Sequence, residues 1–580
     1  MLTNSDLIVN YLERLGVEYV FSVPGGPLGP LYDALVRSER RGGPRSVLTR
    51  HENGSAFMAD GYARKTGRIG VCCATTGPGA TNLMTGVASA HTDHIPLLVI
   101  TAQTLVPHFS RGSFQESSAD ATDIVGMFKH CTRYNSLISH PDQLEKKLAA
   151  ALITALHPPK GPAHLSVPID ILRTPAKGPV AFPNIQHLLS VHASTTDTAG
   201  LEKLSQELQR ILTKNRKVVL LIGHDCVGGT RELTKFAELS GAAVITTPRG
   251  KSWFNPYHPL CRGVFGFAGH KTARDALADE SVDIILAVGT NLNAWSTGDW
   301  DTILLNEKLV HIQDSRSDFN RSPMARMHIY GTIRTVFKNL ISRLEHLEPS
   351  VEGLTIEQED SPQPHPEHAS KKASAYLPTQ IEVREPDSCL SENDSQRIKP
   401  PFVIRKIIQR LPPETCYLID NSNSVPWSIH YFFHPRPENY HLSIGFASMG
   451  WAIGASVGMA LGALDTPVVC FTGDGCFLMS GQEITVAVKE GLPVIFVILN
   501  DQAYGMIRHV HRLTGAEPVD YSIPAVDFCK MAEAVGAKAH TVRNVHDLEH
   551  IDFQALCRRN GPTVLDIQID PDAMPPLGMA

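Results

Sequence analysis

The chain has 580 residues, 42% of them hydrophobic and 19% charged, with a formal net charge of -6. At about 150 residues per domain this length implies three or four domains, and the composition excludes a disordered or fibrous chain. The acidic balance and the lack of any segment of clustered Lys and Arg exclude a general nucleic-acid binder, because neutralising phosphates needs such clusters.

The opening stretch MLTNSDLIVNYLERLGV reads as an amphipathic helix, since Asp6, Glu13 and Arg14 interrupt the apolar run that a signal peptide requires. No stretch approaches the roughly 18 to 20 uninterrupted apolar residues of a membrane span. The eleven cysteines spell neither a zinc ribbon nor a Cys-x-x-Cys pair, and Cys72-Cys73 is the one close pair. A soluble, cytoplasmic protein in a reducing compartment is expected. Short apolar runs then alternate with helical patterns: VEYVFSV, RIGVCCATT and IPLLVITAQ in a first block, KVVLLIG, AAVITT, DIILAVG and LVHIQDS in a second, TCYLID, VVCFTGD, PVIFVILN and TVLDIQI in a third. Such alternation is the sequence form of βαβ units, so three α/β domains are predicted, over residues 1–180, 195–345 and 400–580. A shorter Pro-containing segment near 174–195 separates the first two. Residues 346–399 are rich in Pro, Glu, Ser, His and Lys, a composition that buries too little surface to offset chain ordering, and are read as a flexible linker.

In the third block the strand VVCFTGDGCF ends in Gly473-Asp474-Gly475, and a helical stretch leads to LPVIFVILN, which closes with Asn500-Asp501. A carboxylate leaving one parallel strand and an oxygen ligand leaving the next can share a hard cation, and Mg²⁺ with a diphosphate suits that arrangement. Gly-Asp-Gly also occurs as a plain turn. The 24 residues between Gly475 and Asn500, with a strand on either side, favour the cation site. In the first block VLTRHENGSAFMADGYARKTG sets Glu52 after a strand and at the start of a helix. Taken alone, an acid there favours the positive end of the helix dipole.

Together these segments resemble the thiamine-diphosphate enzymes. The resemblance implies three doubly wound parallel-sheet domains (pyrimidine-binding, central and diphosphate-binding), with thiamine diphosphate and Mg²⁺ as cofactors. Asp474, Asp501 and the backbone carbonyl of Ala503 would hold the metal. Many relatives carry Asn at the place of Asp501, and the change keeps an oxygen ligand while adding negative charge. His51-Glu52, followed by Ala56, Ala59, Asp60, Gly61, Tyr62, Ala63 and Arg64 and then TTGPGATN, looks like the segment that presents the cofactor-activating acid. A carboxyl group hydrogen-bonded to N1′ of the aminopyrimidine favours the imino form, whose N4′ can take the proton from thiazolium C2. SIGFASMGWAIGASVGMALG resembles the stretch whose Met folds the cofactor, a part taken here by Met449, while backbone groups of Ala447 and Met449 hold the pyrimidine. Glycine usually stands at Ala447, and tight strand-to-helix packing alone would also favour small residues there. Asn421-Ser422-Asn423-Ser424 is similar to the diphosphate-contacting stretch, beside Gly473 and Gly475, and Trp427 matches as well.

SVPGGPLGPLYDAL, the GSFQES-to-MFKH region and the tail DPDAMPPLG narrow the resemblance to the acetolactate synthase branch. It implies Pro24, Gly25 and Gly26 at the cofactor, Gln115 near the reacting carbon, Phe114 in the pocket and Lys129 at the family spacing. In ordinary roles Gln115 caps a turn, Phe114 is core and Lys129 is a solvated helix charge. The implied reaction is decarboxylation of a pyruvate-like 2-oxo acid, then ligation of the acyl carbanion to a second carbonyl compound. A non-ligating decarboxylase or oxidase is the enzymatic alternative. A silent regulatory homologue is the other, and it would be expected to lack Glu52 or Asp474. In the family the site joins the first domain of one chain to the third of another, which implies a homodimer or homotetramer.

The central domain bears on flavin. GHDCVGG is a Gly-rich turn that specifies no dinucleotide, and Gly289-Thr290-Asn291 stands where flavin-binding synthases carry Gly-Ala-Arg, so tightly bound FAD is not expected. Aligned through Gly505-Met506, the Trp that selects 2-oxobutyrate in biosynthetic relatives falls at Val510. Aligned from Gly289, the Arg that clamps the acceptor carboxylate falls at Trp295, which offers one N–H and no charge. A differently shaped acceptor pocket follows, with Arg508 or His509 as substitute cations, in an enzyme that is not a dedicated branched-chain biosynthetic synthase.

Overall fold

The computed structural model describes residues 2–177, 180–182, 184–190, 196–345, 377–384, 397–517 and 519–579. The first sheet comprises β1 (Tyr19–Ser22), β2 (Arg45–Leu48), β3 (Gly70–Ala74), β4 (Leu97–Gln103), β5 (Tyr134–Leu137) and β6 (Ala163–Pro168). The second comprises β7 (Lys217–Ile222), β8 (Ala243–Thr246), β9 (Cys261–Val264), β10 (Val282–Val288), β11 (Leu309–Gln313) and β12 (Met327–Tyr330). The third comprises β13 (Cys416–Ile419), β14 (Tyr440–Leu442), β15 (Val468–Gly473), β16 (Val494–Asn500), β17 (Lys538–Val542) and β18 (Thr563–Gln568). Every pairing is parallel. Central strands such as β4, β15 and β16 are buried along their whole length, because helices cover both faces and leave no side for alternation.

The first sheet runs β2-β1-β3-β4-β6-β5 and the third β14-β13-β15-β16-β18-β17, the same topology twice. The second runs β12-β11-β10-β7-β8-β9. In each sheet the strand order reverses at one pair, β1/β3, β7/β10 and β13/β15. Loops leaving the carboxyl ends of such a pair diverge and open a crevice. Pro24–Gly26 leaves β1 and Asp474 leaves β15, so the candidate residues lie at two of these three places.

The helix Glu52–Thr66 packs along Trp451–Gly462, which is buried from Trp451 to Leu461. A Cβ on Gly61 would lie 1.9 Å from Ala455 O, and one on Gly458 would lie 1.9 Å from Met58 O. The two backbones therefore touch, and this contact unites the first and third domains of one chain.

Two boundary readings change. Part of the presumed linker is packed: Gln380 Nε2 donates to Pro256 O and His258 O at 2.7 and 2.9 Å, Ile381 is buried in the central-domain core, and Arg384 N donates to His430 Nε2. Ile398 pairs with Ile569. A few apolar anchors, Leu377, Ile381 and Val383, suffice to seat a segment whose average composition is polar. The rest of the linker, 346–376 and 385–396, lies outside the described residues. Likewise described parts of the segment near 174–195 pack on the first domain: Ala176 N donates to Leu2 O, Phe182 N to Tyr11 Oη, and Ile185 joins the first domain's core. Among the described residues no helix is long and apolar enough to cross a membrane.

Candidate active site

Asp474 follows β15 as the first residue of the helix Asp474–Ser480. Its Oδ1 accepts from Gly475 N at 2.8 Å, while its Oδ2 is buried without a hydrogen-bond partner. Asp501, just past β16, accepts from Asn423 Nδ2 at 3.3 Å and faces Arg508 Nη2 at 3.5 Å. A Cβ on Gly505 would fall 1.9 Å from Asp501 Oδ2, so this position holds no side chain. Burial, with the charge of Asp501 added, pushes the Asp474 carboxyl up to about 7, and burial pushes Asp501 up to about 6. Two acids forced together out of water, with the Asp474 Oδ2 and Asn423 Oδ1 oxygens unpartnered, have the donor set of a hard cation. Mg²⁺ fits this set.

The adjoining cavity, of about 340 Å³, is lined by Asn421–Asn423, Ala447, Met449, Gly473–Gly475, Asp501, Ala503 and Trp295. Its wall depends on Asp420, fully buried at the end of β13. Asp420 accepts from Asn421 N, Gly450 N and Thr472 Oγ1 at 2.8–2.9 Å, and so ties the end of β13, the Met449 turn and β15 together. Burial raises its carboxyl to about 6. Ala447 has φ +58°, a conformation that L residues other than Asn and Asp enter at a cost, which explains why glycine suits the position. Asn421 Nδ2 donates to Ser443 O and Ser448 O, holding the same turn. Ser424 Oγ donates to Asp420 O, and Ser422 Oγ lies 2.9 Å from Ser424 Oγ.

Glu52 opens its helix behind the N-cap His51, whose side chain accepts from Asn53 N. Its Oε2 accepts from Asn82 Nδ2 at 3.0 Å, and a Cβ on Gly79 would come within 3.1 Å of its Oε1. Gly25 lies so close to Thr75 that a Cβ there would be 2.3 Å from Thr75 Cβ, which brings the Pro24–Gly26 turn against the loop after β3. Gln115, at φ +55°, is held nearby, its carbonyl accepting from Thr76 Oγ1 at 2.6 Å. Phe114 is 86% exposed, and Lys129 is an exposed C-cap of Ile124–Phe128. Behind Glu52, buried Glu483 accepts from Arg50 N and from His51 N at 2.9 Å.

Two separate clusters result. Within one chain Glu52 is not part of the cavity wall. It packs beside Glu483, beyond the far end of the helix that Asp474 starts, and those seven residues alone span about 10 Å. Phe114, Gln115 and Lys129 stay with the Glu52 half. Of the acceptor-pocket residues, Trp295 lines the cavity and stacks on Phe267 at 4.1 Å. Arg508 does not: its guanidinium is engaged by Asp501 and Pro571 O. Val510 is outside the wall and 37% exposed, His509 is buried with Nδ1 unpartnered, and Trp427 is core. Asp420, Asn82 and Glu483 are not singled out by the sequence, although Asn82 closes the segment TTGPGATN and Asp420 closes the strand TCYLID directly before Asn421.

Residues 2–124, 205–340 and 420–567 match, in turn, the thiamine pyrophosphate enzyme N-terminal TPP binding domain, central domain and C-terminal TPP binding domain. The chain belongs to the thiamine pyrophosphate (thiamine diphosphate) enzyme family. It is 30% identical to the acetolactate synthase of Mycobacterium bovis, over 99% of this chain and 89% of that protein. It is 28% identical to a probable acetolactate synthase large subunit of Methanococcus aeolicus, over 99% and 93%. A putative thiamin diphosphate-dependent enzyme from Mycobacterium smegmatis has the same fold, with a TM-score of 0.78 at 22% identity over 98% of this chain and 99% of that one.

Proposed function

We propose that the protein decarboxylates a pyruvate-like 2-oxo acid and ligates the acyl group to a second carbonyl compound, in the manner of an acetolactate synthase. The observation that carries the reading is the buried oxygen cradle of Asp474 and Asp501 beside a cavity walled by Ala447 and Met449, in a chain matched along its whole length by acetolactate synthases. Asp474, Asp501 and the Ala503 carbonyl hold Mg²⁺, and Ser422–Ser424, Gly473 and Gly475 surround the diphosphate. Thiamine diphosphate, when bound, supplies an electron sink for the bond broken beside the carbonyl. Glu52 holds a proton at the pyrimidine ring nitrogen, and Gly79 leaves its carboxyl room to face that ring. Since Glu52 stands apart from the cavity of its own chain, the Glu52 half of a second copy completes the site, and a homodimer is the least active unit.

Mass spectrometry of products from a panel of 2-oxo acids tests the reading. A two-substrate adduct such as a 2-hydroxy-3-oxo acid from pyruvate is expected. Free aldehyde or acid with no adduct would replace the ligase reading with a decarboxylase or oxidase. In the absence of any product from any 2-oxo acid, the regulatory reading would stand.

A further inference from the structure

The central sheet has its own reversal of strand order, at β7/β10. The crevice at such a point is where a doubly wound sheet takes a ligand. Here it is filled by side chains. His224 and Asp225 leave the carboxyl end of β7, and His94 of the first domain, from the turn between the helix Met84–Thr92 and β4, meets them.

His94 Nδ1 lies 3.3 Å from Asp225 Oδ1, and His224 Nε2 lies 3.3 Å from the same oxygen. The three atoms all fall within 4.8 Å of one another. The His224 side chain is 8% exposed and its Nε2 has no hydrogen-bond partner, although it is at contact distance from a carboxylate. A ring nitrogen that faces an anion without being aligned to donate to it is placed as two ligands of one ion are placed. The other carboxylate oxygen, Asp225 Oδ2, accepts from Gln313 Nε2 at 2.9 Å, which fixes the rotation of the group and leaves Oδ1 for the imidazoles. Arg249 is the neighbouring cation, but its guanidinium pairs with Asp93 at 3.2 Å, and Asp318 adds a further acid beside Gln313.

We propose that His94, His224 and Asp225 form a zinc-class metal site that clasps the first domain to the central domain. Two imidazole nitrogens and one carboxylate oxygen are borderline donors that select Zn²⁺ over Mg²⁺ or Ca²⁺. With metal–ligand bonds of about 2.0–2.2 Å a tetrahedral edge is about 3.4 Å, close to the two 3.3 Å separations; to close on an ion, the hydrogen bond between His94 Nδ1 and Asp225 Oδ1 gives way and the two imidazoles, within 4.8 Å, bind beside the carboxylate. Of the three, His224 lines a small cleft with Arg249, Thr290 and Asn291, from which water or an incoming ion can reach its ring. None of the three side chains belongs to the thiamine diphosphate half-sites, so the clasp is independent of the proposed reaction.

The test uses the full chain with thiamine diphosphate and excess Mg²⁺, which keeps the Asp474 site occupied. After chelation and re-addition of Zn²⁺, elemental analysis should find one zinc per chain, and Co²⁺ in its place should give the intense visible bands of a tetrahedral ion. His224→Ala and Asp225→Asn should weaken Zn²⁺ binding more than about 100-fold, because even residues that only support a ligand are worth about 10–100-fold. Should either variant fail to fold, His94→Gln, at the more exposed corner, takes its place, with circular dichroism as the check on folding. Absence of stoichiometric zinc, six-coordinate cobalt spectra, or unchanged affinity in the folded variants would overturn the proposal. So would destabilisation by His94→Gln that is the same with and without zinc, which would leave a His94–Asp225 ion pair alone.

Discussion

Glu483 shows how much a single buried acid can do without touching the cavity. It is 1% exposed, and it receives the backbone N–H groups of Arg50 and His51 that precede Glu52, so a residue of the third domain sets the start of a first-domain helix. Burial, with Glu52 adding its charge, holds the Glu483 carboxyl up at about 7, above its ordinary 4.5. A raised acid pKa means that the folded chain keeps a proton that the unfolded chain releases. The stabilising contribution is therefore complete below about 4.5 and is lost as pH rises through about 7, on the order of 3 kcal/mol in all. Glu483→Gln removes the titrating group and should flatten the dependence: between pH 5 and pH 8 the wild-type melting temperature should fall further than the variant's. Parallel curves would show that Glu483 is ionised throughout.

At the scale of elements, two helices carry distinct expectations. The pair Glu52–Thr66 and Trp451–Gly462 touches backbone to backbone, so Gly458→Ala drives a Cβ into Met58 O, and overpacking of this kind costs about 1–3 kcal/mol or more. Gly29→Ala, which meets nothing within 4 Å, is the matched control. Denaturant unfolding should separate the two, and equal midpoints would mean that the helices can slide apart freely. The helix Gly505–Thr514 lines the cavity with its first residues and carries Val510 one turn further on, partly exposed. With the Glu52 half of a second copy closing the acceptor pocket against this helix, Val510→Trp should alter the preference between pyruvate and 2-oxobutyrate about 10-fold or more, the scale on which pocket volume discriminates. Competition between the two acceptors measures it. A wild type that already prefers 2-oxobutyrate, with a variant that changes neither preference nor rate, would remove Val510 from the pocket.

At the scale of the whole molecule, the proposed sharing of the site between two copies makes a sharp expectation. Glu52→Gln and Asp474→Ala should each abolish most turnover. Mixed in equal amounts and allowed to exchange subunits, they should recover about a quarter of wild-type activity, because half of the dimers are then mixed and one of their two sites carries both native residues. No recovery, with exchange verified by mass, would place Glu52 and Asp474 in one chain's site.

Sequence by itself determined the class and the three α/β blocks, and it singled out Asp474 and Glu52 as candidate cofactor anchors. Central strands such as VVCFTG and VIFVILN are buried on both faces and so read as unbroken apolar runs, and Asp474 follows one of them where a parallel sheet presents its ligands, whereas Glu52 follows the half-buried edge strand β2. Tertiary structure decided the rest. Edge strands such as β5, β12 and β17 pair on one side and show no continuous apolar signal, and β6 hides because its buried His164 is satisfied by Thr101 and Asn135. The packed piece of the supposed linker holds through a few contacts that composition averages away. Asp420 bonding Gly450, Glu483 bonding His51, and His94 meeting His224 join residues far apart in the chain. A local pattern records which face a residue presents, and the partner across that face is chosen only when the sheets are stacked.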